Sequence, residues 1–300
     1  MRMIVLGAAA GGGFPQWNSN APGCNRARLG DPAAPARTQA SLAVSGNGTD
    51  WYVLNASPDL RQQIGQTEEL HPREGLRSTP IRGVVLTGGD VDVITGLLTL
   101  RERESFTLYA TTSIHGILDA NPVFEVLARD VVERRTVSLD EPIDLAGGLT
   151  VELFAVPGKV PLYMEVGSGM QPVVVDGTTV AACIRQGERR VFFIPGCAAV
   201  PDWLAKRIDG ADVLFFDGTL WRDDEMIQSG VGQKTGQRMG HISLSGENGT
   251  LAALAPIKIG RRVLVHINNT NPVLLADSPE RKEVEAAGWT VGEDGLRISL

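Results

Sequence analysis

The residues best equipped for acid–base or metal chemistry stand where apolar runs stop. Asp90 and Asp92 follow the run Arg82 to Thr87, Asp217 closes "DVLFFDG", His241 lies in "RMGHIS" and His266 ends "RRVLVH". An acid at the end of a buried strand points into the cleft at a sheet edge, where ligands and metals collect. The two acids of the turn could equally cap a helix or end a strand, and one histidine alone is more often structural than a ligand. Two of the four histidines beside three strand-end acids change that balance. Imidazole and carboxylate donors together suit Zn²⁺, Fe²⁺ or Mn²⁺, and two imidazoles with one carboxylate form the open face of non-haem iron oxygenases. His71 and His115 have no acids in suitable places and are expected to be structural.

Other chemistries fit less well. The stretch Gly7 to Pro15 is rich in glycine, but Gly13 and Phe14 stand where a Walker loop needs lysine and a hydroxyl, and Pro15 is a poor start for a long dinucleotide-binding helix. Its glycines are expected to allow close backbone packing beneath a site. No Gly-x-Ser-x-Gly surrounds a serine, so no nucleophile elbow is encoded. Lys159 in "VPGKVP", with Lys234 and Arg238 in "GQKTGQRMGH", could clamp the carboxylates of an anionic ligand, the plain alternative being solvated side chains. Asn268, just past His266, is counted with them as a substrate contact.

The elements that must hold these residues are short. Strand-like runs recur at 40–44, 51–54, 84–87, 106–110, 149–156, 179–184, 191–194, 213–216 and 263–267. Helical spacing falls at 58–64, 93–104, 201–208, 246–254 and 279–287. Strands dominate each half and helices follow each group, an α/β rhythm that suits two sheets packed face to face with helices outside rather than a doubly wound parallel sheet. With 300 residues, 43% of them hydrophobic, and no low-complexity linker, one domain over 1–300 is expected. A net charge of −7 disfavours a nucleic-acid partner. Three scattered cysteines with no Cys-x-x-Cys imply neither a disulfide framework nor a zinc knuckle, and fit a reducing compartment. No apolar run approaches the roughly 18 residues of a membrane helix. The opening Arg2 to Ala10 resembles a minimal signal peptide, but Gly7 interrupts it and a first strand over Met3–Leu6 is preferred.

Taken in order, "LTGGDVD", "FDGT", "GHIS" and "VHIN" resemble the metallo-β-lactamase fold superfamily, and with "GAAAGGGFPQWN", "RTQASLAVS", "LNASPDLRQQI", "VPGKVPLY", "GVGQKTGQRMGHI" and "VHINNTNPVL" the whole chain resembles the PqqB family of pyrroloquinoline quinone (PQQ) biosynthesis. The resemblance implies a four-layer αββα sandwich with metals at the sheet edges. It also implies a cytoplasmic protein, with a homodimer allowed, acting on a small molecule. The implied reaction is iron- and dioxygen-dependent hydroxylation of a crosslinked glutamate–tyrosine precursor; the alternative it carries is a non-catalytic carrier of PQQ or its precursor. Asp92, Asp217 and His266 fall on metal-ligand positions, with Asp90 in support, and Asp217 and His241 take the catalytic roles, His241 orienting substrate or moving protons. Two departures matter. Val93 stands where relatives carry the histidine of an Asp-His pair, so Fe²⁺ is expected to bind weakly. Ser19 and Ala21 replace two cysteines of a zinc cluster and leave Cys24 alone, so no structural zinc is expected.

Overall fold

The apolar runs become strands because their side chains can be buried on both faces of a sheet. Residues 1–165 and 172–300 are described by a computed structural model. The strands are β1 (Arg2–Gly7), β2 (Ser41–Ser45), β3 (Trp51–Leu54), β4 (Ile81–Val85), β5 (Phe106–Ala110), β6 (Val132–Thr136), β7 (Ile143–Leu145), β8 (Leu149–Ala155), β9 (Val180–Gln186), β10 (Arg189–Ile194), β11 (Ala211–Asp217), β12 (Ile259–Val265), β13 (Trp289–Val291) and β14 (Arg297–Ser299). They form two seven-stranded sheets, ordered β14-β1-β2-β3-β4-β5-β6 and β13-β12-β11-β10-β9-β8-β7. Each is antiparallel on one side and parallel on the other: β3 to β6 run parallel in the first sheet, β10 to β13 in the second.

In β11, Val213 and Phe215 enter the core between the sheets while Leu214 and Phe216 enter the core beneath the outer helices. β10 does the same with Val191 and Phe193 against Phe192 and Ile194. This double burial is why these strands read as unbroken apolar runs. Where such a run ends, the next polar residue sits at the rim of the sheet; the parallel neighbours β11 and β12 end toward one rim, and the contact of Asp92 with His266 brings the end of β4 to the same place. The inter-sheet core draws on residues from Met1 to Ile298, and β14 returns to pair with β1.

The segment expected as one helix over 93–104 is instead a turn of α-helix, Val91–Ile94, followed by a 3₁₀ stretch, Thr95–Leu100. Gly96 is the reason: a Cβ there would meet the Ser57 carbonyl oxygen at 2.0 Å, and its amide donates to the Ala56 oxygen. The helix expected over 246–254 covers only Thr250–Leu254, because Gly246 at φ +90° lies outside helical space. The strands β6, β7, β13 and β14 were not expected; all but β6 are three residues long and all lie at or next to a sheet edge. Among the described residues no helix is long and apolar enough to cross a membrane.

Candidate metal centre and cavity

The strand ends meet at the rim shared by the two sheets. Asp92 arrives on the turn after β4, Asp217 ends β11, His266 directly follows β12, and His241 follows the short helix Gly236–Met239. Asp217 is fully buried and both of its carboxylate oxygens are engaged. Its Oδ1 accepts from the Thr219 amide at 2.9 Å and the Thr219 hydroxyl at 2.6 Å, while its Oδ2 accepts from the Cys197 amide at 2.9 Å and faces His241 Nδ1 at 2.7 Å. Thr219 Oγ1 also lies 3.1 Å from His241 Nδ1 and 2.9 Å from His266 Nδ1. On the far side of the His266 ring, Nε2 faces Asp92 Oδ2 at 2.8 Å, and the two imidazoles stack with centroids 5.1 Å apart. His266 takes φ +55°, a left-handed conformation that costs a non-glycine residue on the order of 1 kcal/mol and is characteristic of functional sites.

Burial alone would neutralise these acids. It pushes Asp217 toward the protonated form, but the neighbouring His241, through charge and hydrogen bond, outweighs it and holds the carboxyl below its usual range. For Asp92 burial is again outweighed, here by the hydrogen bond and charge of His266, while burial of His266 is outweighed by Asp92 and the imidazole is raised. Asp90 differs: burial, then the negative charge of Asp92, raises it. It lines the same cavity without a hydrogen bond to the cluster.

Among the described residues, Asp217, His241 and His266 form the group whose donor atoms converge, all within 4.8 Å of one another. One carboxylate and two imidazoles make a donor set that fits a borderline divalent ion such as Zn²⁺ or Fe²⁺. His241 and His266, with Asp217 buried beside them, line a cavity of about 390 Å³, to which Ala10 and Gly11 of the glycine loop also contribute. A Cβ on Gly11 would lie 3.7 Å from the Asp92 carboxyl, which is the close approach expected of that loop. Val93 also lines the cavity, presenting an apolar surface beside the acids. Asn268 lines it too, its amide donating to Thr270 Oγ1 at 2.6 Å.

Lys159, Lys234 and Arg238 do come together, around a residue the sequence did not single out. Arg238 grips Glu165 with both terminal nitrogens, at 3.0 and 2.7 Å; Lys159 Nζ sits at 2.8 Å and Lys234 Nζ at 3.7 Å from the same carboxylate. The hydrogen bonds from Arg238 and Lys159 push Glu165 down to about 2. A single glutamate in "PLYME" carries no signal in sequence, since only the fold brings the three cations to it. Thr219 carries little more signal, its place two residues after Asp217 in "FDGT" being a local hint.

The remaining candidates are elsewhere. His115 is buried with Nε2 on the Arg135 oxygen, and His71 is placed against the Gly65 oxygen. Cys24 is buried in the helix Pro22–Arg28, its thiol 3.7 Å from Asn269 Oδ1.

Two facing mixed sheets with a carboxylate–imidazole cluster at one rim define the metallo-β-lactamase class of proteins, and the sequence model of the beta-lactamase superfamily domain matches residues 50–267. Within it, the chain belongs to the coenzyme PQQ synthesis protein B family. It is 62% identical to coenzyme PQQ synthesis protein B of Gluconacetobacter diazotrophicus, over 99% of both chains, and 55% identical to that of Methylorubrum populi over the full length of both. The 1.98-Å crystal structure of Zn²⁺-bound PqqB from Methylobacterium extorquens superposes over 100% of both chains with a TM-score of 0.98 at 56% identity. A diphosphatase of the PhnP family, at 22% identity and a TM-score of 0.67, shares the fold.

Proposed function

We propose that this chain hydroxylates the crosslinked glutamate–tyrosine precursor in coenzyme PQQ synthesis, using Fe²⁺ and dioxygen. Its part in PQQ synthesis follows from its family. The observation that carries the finer reading is the joining of two features in one cavity: two imidazoles backed by the buried Asp217 carboxylate, and the cations Lys159 and Lys234. Asp217, His241 and His266 would hold the ion, with Asp92 fixing the His266 ring from its far side and Asp90 able to assist. A bound ferrous ion supplies the activation of dioxygen. Hydroxylation inserts one oxygen atom into a ring C–H bond and releases the other as water, which requires two electrons and two protons from an external reductant. Lys159, Lys234 and Arg238 hold the carboxylates of the precursor, Asn268 contacts it, and Asp92 and His266 hold or move a proton between them.

A second reading, a non-catalytic carrier of PQQ or its precursor, is favoured by Val93, which presents a methyl-lined wall where another ligand would strengthen the metal site. The two separate by iron titration under anaerobic conditions, followed by product analysis with the crosslinked precursor, dioxygen and ascorbate. The hydroxylase reading expects iron binding and product in the wild type, loss of both in Asp217→Ala and His266→Ala, and iron affinity about ten- to hundredfold higher in Val93→His. A wild type that binds no iron and forms no product, yet binds PQQ with an affinity indifferent to His266→Ala, would leave the carrier.

A further inference from the structure

The cation cluster already contains a carboxylate. Glu165 has a side chain only 6% exposed and engages three cations from two separate parts of the chain. Three positive charges against one negative leave an excess of two within this cluster, in a chain whose net charge is −7; Lys159 and Lys234 line the cavity, whose acids Asp90 and Asp92 belong to the metal-side group. Two of the cations, Lys159 and Arg238, are held in place, while Lys234 is more exposed. The Lys159 stem lies against Gly240, where a Cβ would approach Lys159 Cγ to 3.1 Å, and Arg238 sits on a short helix whose first turn is capped by Thr235. Glu165, by contrast, hangs from a short 3₁₀ turn, Leu162–Met164, whose Leu162, Tyr163 and Met164 are largely exposed and whose Tyr163 hydroxyl donates to the Gly89 oxygen at 2.5 Å.

We propose that Glu165 is a resident carboxylate seated where a substrate carboxylate binds, and that it makes the cavity selective for polycarboxylates. The proposal rests on the reading that Lys159, Lys234 and Arg238 clamp the ligand. Bringing cations together in a partly desolvated cleft with no counter-charge is costly, so a tethered glutamate keeps them paired while the cavity is unliganded. An incoming ligand must displace it. A monocarboxylate then only exchanges one anion for another and gains little. A ligand with two or three carboxylates replaces Glu165 and also meets the two remaining positive charges, so only it gains on binding. The glutamate thereby acts as a threshold on ligand charge.

The test is calorimetric titration with pyrroloquinoline quinone and with benzoate, for wild type, Glu165→Gln, Tyr163→Phe and Arg238→Ala. Removing the resident charge in Glu165→Gln should tighten PQQ about tenfold or more, the change that one charge-assisted contact commands, and should make benzoate binding measurable. Tyr163→Phe, which removes the hydrogen bond from the 3₁₀ turn to Gly89 but leaves Glu165 in its seat, should change neither. Unchanged or weaker PQQ binding in Glu165→Gln, together with weaker binding in Arg238→Ala, overturns the resident-carboxylate role and leaves the clamp standing. Tightening in Tyr163→Phe equal to that in Glu165→Gln also overturns it, since loosening alone would then suffice. Unchanged PQQ affinity in Arg238→Ala removes the clamp itself. A thermal melt of each variant within a few degrees of wild type establishes that the compared proteins are folded.

Discussion

Thr219 shows how much of the site is decided by a single hydroxyl. It bonds Asp217, sits within reach of both imidazoles and contacts the His266 carbonyl oxygen at 2.9 Å, so it fixes three prospective ligands relative to one another. Thr219→Val keeps the shape and removes those bonds. It should lower Zn²⁺ affinity about ten- to hundredfold in a chelator competition, as loss of groups that orient metal ligands does, with the fold retained. Glu165 provides a pH test at the same scale. Its folded value of about 2 lies below its ordinary 4.5, so the energy of its ion pairs is present above 4.5 and lost only as pH falls toward 2. The ratio of PQQ affinities between wild type and Glu165→Gln should therefore be constant from pH 5 to 8, and a ratio that varies in that window would contradict the assignment of its charge.

At the scale of elements, the Asp90–Asp92 turn is held in place by Gly96. Any side chain there collides with the Ser57 and Ala56 backbone oxygens, at 2.0 and 2.7 Å from an added Cβ, and backbone oxygens cannot swing aside. Gly96→Ala should destabilise the protein by about 1–3 kcal/mol, as overpacking does, and weaken metal binding by shifting Asp92; denaturant unfolding and a Zn²⁺ titration would read the two effects. The sequence already pointed to Asp92, Asp217 and His266, because each follows an apolar run and a strand end has a fixed relation to its sheet; His241, which follows a short helix, was marked only by its glycine-punctuated surroundings. It also revealed β10 and β11, whose alternation is hidden by burial on both faces but whose short length and β-branched and aromatic content mark them as strands. It did not reveal β13 or β14, three-residue edge strands whose pairing is set by neighbours far along the chain. Nor did it reveal Glu165, whose three partners stand six, 69 and 73 residues away. Gly96 was visible as a letter, but its role as a contact point was not.

For the whole molecule, Asp294 ties the return toward β14 to the glycine loop. Its carboxylate accepts from the Ala8 and Thr38 amides and the Thr38 hydroxyl, yet burial raises it to about 6 from 3.8. A raised acid is protonated more readily in the folded state, so its contribution is greatest below pH 3.8 and declines as pH rises through about 6. Over that interval the wild type should lose up to about 3 kcal/mol relative to Asp294→Asn, whose own stability profile lacks this slope. Denaturant melts of both proteins at pH 4, 5, 6 and 7 would show it, and parallel profiles would refute it.

The contact between Asp92 and His266 joins residues 174 apart and bridges the two sheets. Closing so long a stretch of chain has no local reward, so contacts of this span form only after the segments between them have organised. The metal centre is therefore a product of folding and no guide to it. Zn²⁺ added during refolding should leave the folding rate unchanged and slow unfolding, because it grips an arrangement missing from the transition state. In a cell, such a protein would fold first and take up its metal afterwards. On the hydroxylase reading its activity would then follow metal supply, while its abundance followed the stability of the apo form.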